Sequence, residues 1–264
     1  MNEAQVFTLL PAISLVRREW VRFYRQKARI IGSLGTPIVL WALLGSGLQA
    51  AFPANSEVPS AVNYLKYFFP GSLVLTILFT SIFTNISVIE DRNEGFLQGV
   101  LVAPVTRLGL VIGKVWGGTL IALFQGVLFL LLAPIAGFSL SFTAVFQLLI
   151  SMIITSLCLT TVGFIFAWKL DSSQGFHSVM NLCLMPMWLL SGAFFPPSRA
   201  PLVLKLVIYL NPLTYGFAAI QSSLYSNQVN PAAFSLGVAL GIELLFGIVL
   251  GLVAVWIVRD RTKG

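Results

Sequence analysis

The chain has 264 residues, of which 57% are hydrophobic and 9% charged, with a mean hydropathy of +0.91 and a formal net charge of +7. A soluble domain carries about 25% charged residues, so this composition excludes a dissolved globular protein and indicates an integral membrane protein. The positive charge does not indicate a nucleic-acid partner, because the Lys and Arg residues collect at the ends of apolar runs.

Residues 1–29 come first. At about 100° per residue, Arg18, Arg22, Arg25 and Arg29 fall in one stripe, with Ile13, Val16, Trp20, Phe23 and Tyr24 opposite. This pattern predicts an amphipathic interfacial helix, its apolar side sunk in the headgroup layer and its arginines toward water or anionic lipid. A secretory signal is not expected, because the apolar stretch 6–15 precedes the basic cluster instead of following it.

Crossing the hydrocarbon core takes about 20 apolar residues. Six runs qualify: 30–52, 67–89, 108–137, 142–168, 176–194 and 232–258. The connections place thirteen Lys and Arg residues on one side and three on the other. By the positive-inside rule both termini are expected in the cytosol, together with the charged loop after the second run. That loop, 90–107, holds Glu90, Asp91, Arg92 and Glu94, then an apolar stretch broken by Pro104, then Arg107, with Lys114 just inside the third run. A short element tied to two spans can take a push from a soluble partner and pass it into the membrane. Segment 195–231 holds two apolar pieces divided by Asn211 and Pro212, each too short to span, which predicts a re-entrant or interfacial hairpin.

Two stretches, EDRNEGFLQGVLVAPVTRLGLVIGK and LLSGAFFPPSRAP with the following YLNPLTYG, resemble the type-2 class of ABC exporter permeases, nearest to the drug and lipo-oligosaccharide exporters. Glu90, Gly95, Leu97, Leu101, Pro104, Arg107, Gly113 and Lys114 fall on matching positions, while Gln98 stands where that class usually has Glu. The resemblance implies one all-α transmembrane permease domain over 1–264. Its parts are an interfacial helix, six transmembrane helices, a cytosolic coupling helix between spans two and three, and a re-entrant hairpin before span six. It also implies a bacterial inner-membrane location, a second permease that is identical (a homodimer), and two ABC ATPase subunits on the coupling segment, Glu90, Arg92, Glu94, Gly95, Leu97, Leu101, Pro104, Arg107 and Lys114. The expected cargo is an amphiphile: a drug, lipid or glycolipid.

Enzyme chemistry is not expected. Gly109 and Gly113 are separated by three residues and Val115 follows Lys114, so the spacing and hydroxyl of a phosphate loop are both missing. With one histidine in the chain, His177, a histidine metal cluster cannot form. No cofactor is expected on this chain, and ATP with magnesium belongs to the partner ATPase. Cys158 and Cys183 read as buried free thiols.

Polar and aromatic groups within the runs mark a candidate pathway: Phe79, Phe83, Asn85, His177 and Asn181, with Phe194 and Phe195 at its outer mouth. Glu243 stands near the middle of the last run, where a charge is costly. It is either a proton or substrate site, or a neutral acid bonded to a neighbouring helix. The helix–helix approach is expected at Gly237-x-x-x-Gly241 and Gly247-x-x-x-Gly251. The alternatives to an ATP-driven exporter are an ion-coupled secondary transporter using Glu243 and a non-transporting scaffold. The orientation has a direct test in a Cys158→Ala, Cys183→Ala background. An impermeant thiol reagent added to intact cells should label Ser60→Cys and Ser198→Cys but not Ser14→Cys or Thr106→Cys, and strong labelling of Thr106→Cys from outside reverses the topology.

Overall fold

The computed structural model describes residues 3–51, 64–102, 105–193, 201–226 and 232–260, and these are helical with no strand among them. In chain order the helices are α1 (Glu3–Arg25), α2 (Lys27–Ala51), α3 (Tyr64–Phe83), α4 (Ile86–Asn93), α5 (Phe96–Val102) and α6 (Arg107–Leu130). Then come α7 (Phe142–Lys169), α8 (Ser173–Trp188) with a π-helical turn Leu189–Ala193, α9 (Leu202–Leu210), α10 (Pro212–Leu224) and α11 (Leu236–Asp260).

Five of these units are long and apolar enough to cross a membrane: α2, α3 with α4, α6, α7 and α11. A sixth arises only if α9 and α10, bent by 81°, count as one span. The fifth apolar run of the sequence does not yield such a helix. There α8 has 16 residues, contains Pro186, and closes in a π turn at Gly192, whose φ of 100° suits glycine. The break between α9 and α10 falls at the expected Asn211 and Pro212. Asn211 Oδ1 accepts from the Leu213 amide at 3.0 Å, capping α10, while its Nδ2 donates to the Met187 carbonyl at 2.7 Å. One side chain thus starts α10 and fastens it to the end of α8.

Helix α3 is the centre of the bundle, packed against α2, α6, α7, α8 and α10, and its span window is 89% buried with α4. Down its length Thr76 and Thr80 donate to the carbonyls of Ser72 and Thr76, so their hydroxyls are satisfied without water. The Thr80 hydroxyl also lies 2.8 Å from the Gln125 side-chain amide of α6, sharing its one proton between the two acceptors. By contrast α2 and α11 are only 17% and 22% buried, leaving their apolar faces to lipid or another chain.

Close approach between helices occurs at glycines other than those expected. A Cβ on Gly237, Gly241 or Gly251 would meet nothing within 4 Å, and one on Gly247 would make only ordinary contact with Leu157 of α7 at 3.5 Å, so the α11 glycines form no tight seat in this chain. The tight contacts are at Gly118 against Thr84 and Thr160, Gly163 against Asn85 and Ile82, and Gly216 against Thr155 and Glu243. On α6, Gly113 and Gly117 lie one turn apart and form the seat of α1. A Cβ on Gly113 would stand 2.8 Å from Leu15 Cβ and 3.0 Å from the Ala12 carbonyl oxygen. Small residues at this spacing let two backbones meet. Gly113→Ala is therefore expected to cost about 1–3 kcal/mol by overpacking. Gly237→Ala should stay within about 0.5 kcal/mol. Thermal unfolding in detergent, with proteolysis of α1 as a second readout, checks both.

Candidate functional site

The charged segment is built around Asp91, which is fully buried near the end of α4. Its Oδ2 accepts from Arg18 Nη1 at 2.6 Å, and its Oδ1 accepts from Arg18 Nη2 at 2.6 Å and Arg22 Nη1 at 2.9 Å. Lys114 of α6, 3% exposed, donates to Asp91 Oδ2 and to Glu19 Oε1, the latter at 2.5 Å. Arg22 reaches Glu90 at 2.8 Å. Three cations (Arg18, Arg22, Lys114) thus meet three carboxylates (Glu19, Glu90, Asp91), and charge balances where the dielectric is low. The bidentate bond to Asp91 is the main reason the Arg18 guanidinium is held above its ordinary pKa. Its planar fork also lies over the Phe96 ring at 3.7 Å.

This arrangement changes the expectation for the arginine stripe. Arg18 and Arg22 turn inward to α4 and do not spread toward water or lipid. Arg29 belongs to α2, not to the surface helix, and lies 4.0 Å from Glu90. Arg25 is exposed, as are Ile13, Trp20 and Tyr24, so α1 offers a mixed apolar and basic outer face. The central roles of Glu19 and Asp91 are not evident from sequence. The available signal was Lys114 itself: a lysine just inside an apolar span needs an acid.

Glu90 and Arg92 stand on α4, and Gly95, at φ 76°, turns the chain into α5. Arg92 faces away from the Asp91 cluster and binds the carbonyl end of α7. Glu94 is 61% exposed and only 3.7 Å from Arg22. Leu97 is buried within this chain and Val102 is 88% exposed, so of these two only Val102 presents itself to a partner. Leu101 lies on α5, and Arg107 opens α6 behind the Thr106 cap. Pro104, Phe194 and Phe195 fall outside the described residues.

The candidate pathway residues divide. Phe79 and Phe83 stack at 5.6 Å, and Phe83 meets the His177 ring at 4.9 Å. All three line a cavity of about 300 Å³ between α2, α3 and α8, with Arg29, Thr36 and Ile86 among its other walls. Asn85 is instead buried, donating to the carbonyls of Ser81 at 2.8 Å and Thr160 at 3.1 Å, which makes it a tie between α3 and α7. Asn181 is exposed on α8. Cys158 is buried, but Cys183 is exposed, against the expectation of two buried thiols.

Glu243 is 1% exposed and accepts from Thr155 of α7 at 3.1 Å, with the Gly216 backbone of α10 against its carboxyl. It therefore joins α7, α10 and α11, the neighbouring-helix bond being the one the geometry displays.

Removing one member of a buried ion cluster leaves the others uncompensated, which typically costs about 3–5 kcal/mol. Asp91→Ala is expected to fall in that range, while Glu94→Ala, at an exposed pair, should cost at most about 1 kcal/mol. Thermal unfolding of the purified permease measures both.

Comparison with known proteins agrees with this architecture. The sequence profile of the ABC-2 type transporter family matches residues 12–225. The chain is 27% identical over 253 residues to a protein of Cyanophora paradoxa described as a transport permease, ycf38, covering 89% of this chain and 84% of that protein. It is 28% identical over 181 residues to a protein of Escherichia coli (strain K12) described as a multidrug ABC transporter permease, YbhR, covering 66% of this chain and 49% of that protein. Nodulation protein J of Sinorhizobium fredii is 24% identical over 215 residues, covering 80% of each chain. A match over most of the chain, together with the helical membrane bundle, shows that this protein belongs to the ABC-2 type transporter family, whose members are the membrane permeases of ABC transporters.

Proposed function

We propose that this chain forms a homodimeric permease in a bacterial inner membrane, with both termini in the cytosol, and exports an amphiphilic substrate when two ABC ATPase subunits act on its coupling segment. ATP and magnesium are bound by those subunits, and this chain contributes the lever and the pathway. The substrate is a drug, lipid or glycolipid, a class favoured by the multidrug description of the relative YbhR.

The observation that carries the reading is the meeting of Phe79, Phe83 and His177 on one cavity directly above α4. Phe83 ends α3, and only Thr84 and Asn85 separate it from α4. An apolar ring pair with a polar ring at its edge suits a flat or branched amphiphile, whose tail stacks while its polar end meets His177 or Arg29. The ATPase would dock on the exposed part of the segment, where Glu94, Phe96, Gln98 and Val102 are open. Closure of the ATPase pair then displaces helices whose two positions it binds with different affinity. Family membership supports this ATP-driven reading over the ion-coupled and scaffold alternatives.

Reconstitution with the ATPase in liposomes tests the two halves separately. Val102→Arg and Glu94→Arg together should weaken ATPase co-purification about tenfold or more, the loss of about 1.4 kcal/mol or more. Phe79→Ala and Phe83→Ala should leave the complex intact and slow export of fluorescent amphiphiles severalfold. Undiminished ATPase retention in the first variant removes the docking assignment, and undiminished export in the second removes the cavity from the pathway.

A further inference from the structure

Arg92 makes a set of contacts that ATPase docking does not require. From α4 its Nη2 donates to the Trp168 carbonyl at 2.6 Å and the Ala167 carbonyl at 3.4 Å. Its Nη1 donates to the Leu170 carbonyl at 3.1 Å and to Asp171 Oδ1 at 2.9 Å, and the guanidinium lies 5.6 Å from the Trp168 ring centroid. The last carbonyls of a helix have no amide partner of their own and form the negative end of its dipole, so a fork of N–H donors fits there. Arg92 thus closes the end of α7.

The turn from α7 into α8 extends the reach of this contact. It consists of Leu170, Asp171 and Ser172, and Ser172 accepts from the Gly175 amide at 3.1 Å to start α8. His177 comes little more than a turn of helix later. A short, capped turn transmits displacement with little slack. The same α4 that begins three residues after Phe83 is therefore bonded to the base of the helix that carries His177. Asp91 and Arg92, adjacent in sequence, face opposite ways, one to α1 and α6 and the other to α7.

We propose that Arg92 is a positioning residue that ties the coupling segment to the α7–α8 turn, so that both walls of the Phe83–His177 cavity move with one lever. The inference rests on the cavity being part of the pathway. Without Arg92 the segment would still displace α3, but α8 would lag, and ATP would be hydrolysed without opening the cavity.

The test uses the permease–ATPase complex in nanodiscs, in a Cys158→Ala, Cys183→Ala background. Spin labels are placed at Asn93→Cys on α4 and Ser178→Cys on α8, both exposed, and labelled chains are diluted with unlabelled permease. With Arg92 present, the distance between labels should stay narrow and unchanged between nucleotide-free and vanadate-trapped complexes. Arg92→Ala should broaden it on trapping and lower export per ATP hydrolysed about tenfold, with hydrolysis retained. Asp171→Asn, which keeps the carbonyl contacts of Arg92 and weakens its exposed ion pair, should remain within about twofold. Arg92→Lys, keeping the charge with fewer donors, should fall between, and it carries the same comparison if Arg92→Ala fails to accumulate. A wild-type distance distribution and wild-type export per ATP in the Arg92 variants overturn the proposal. A broadened distance in Arg92→Ala beside undiminished export in Phe83→Ala shows instead that the lever exists and the cavity reading is wrong.

Discussion

Burying a carboxylate at a membrane boundary is tolerable only when cations surround it, and Asp91 obtains three of them from two other helices. That requirement organises the end of the molecule where α1, α4 and α6 meet. Lys114 must lie at the start of α6, Arg18 and Arg22 must face inward from α1, and Glu19 must be near enough to balance them. The geometry in turn demands that α1 lie tight against α6, which Gly113 and Gly117 permit. Charge and backbone shape are thus two halves of one constraint.

The rest of the bundle uses weaker polar contacts in the same way. Helices in lipid gain no hydrophobic energy by meeting one another, so packing and interhelical hydrogen bonds must hold them. Thr80 to Gln125 joins α3 to α6, Asn85 to the Thr160 carbonyl joins α3 to α7, and Thr155 to Glu243 joins α7 to α11. Glycines admit the close approach at the last two, Gly163 beside Asn85 and Gly216 beside Glu243. The bundle is a set of stiff rods fastened at a few polar points, a construction suited to moving as rigid bodies about those points.

Much of this is readable in the sequence wherever a single physical rule decides. Apolar run length locates the long spans, and the Asn211–Pro212 break locates the bend between α9 and α10, because lipid thickness and proline stereochemistry act locally. Helix α8 escapes that reading: its run is apolar enough, but the regular helix stops at Trp188, just past Pro186, and gives way to a π turn. The direction of the arginines on α1 depends on Asp91, about seventy residues away, and periodicity alone is blind to the partner of a stripe. The glycines of α11 show the opposite failure. Their spacing is right for a helix seat, yet in this chain Gly237, Gly241 and Gly251 meet no neighbour. For the cavity, Phe79, Phe83 and His177 are legible as candidates, whereas their separation from Asn85 and Asn181 needs three dimensions.

The unequal burial of the helices bears on how the chain is made. Helix α11 is apolar apart from Glu243 and little enclosed by the others, so its hydrophobicity alone favours release from the insertion machinery into lipid, where Thr155 of α7 then satisfies the acid. Short α8 is in a different position, with a histidine and an asparagine on its exposed side and few apolar turns to hold it in the bilayer. It depends for retention on α3, already in place, whose Gly71 carbonyl receives the Trp188 indole N–H at 2.8 Å. Biogenesis then has an order written into it. The central helix α3 must be present before α8 can stay, and a chain that loses this contact is exposed to quality control before any partner arrives.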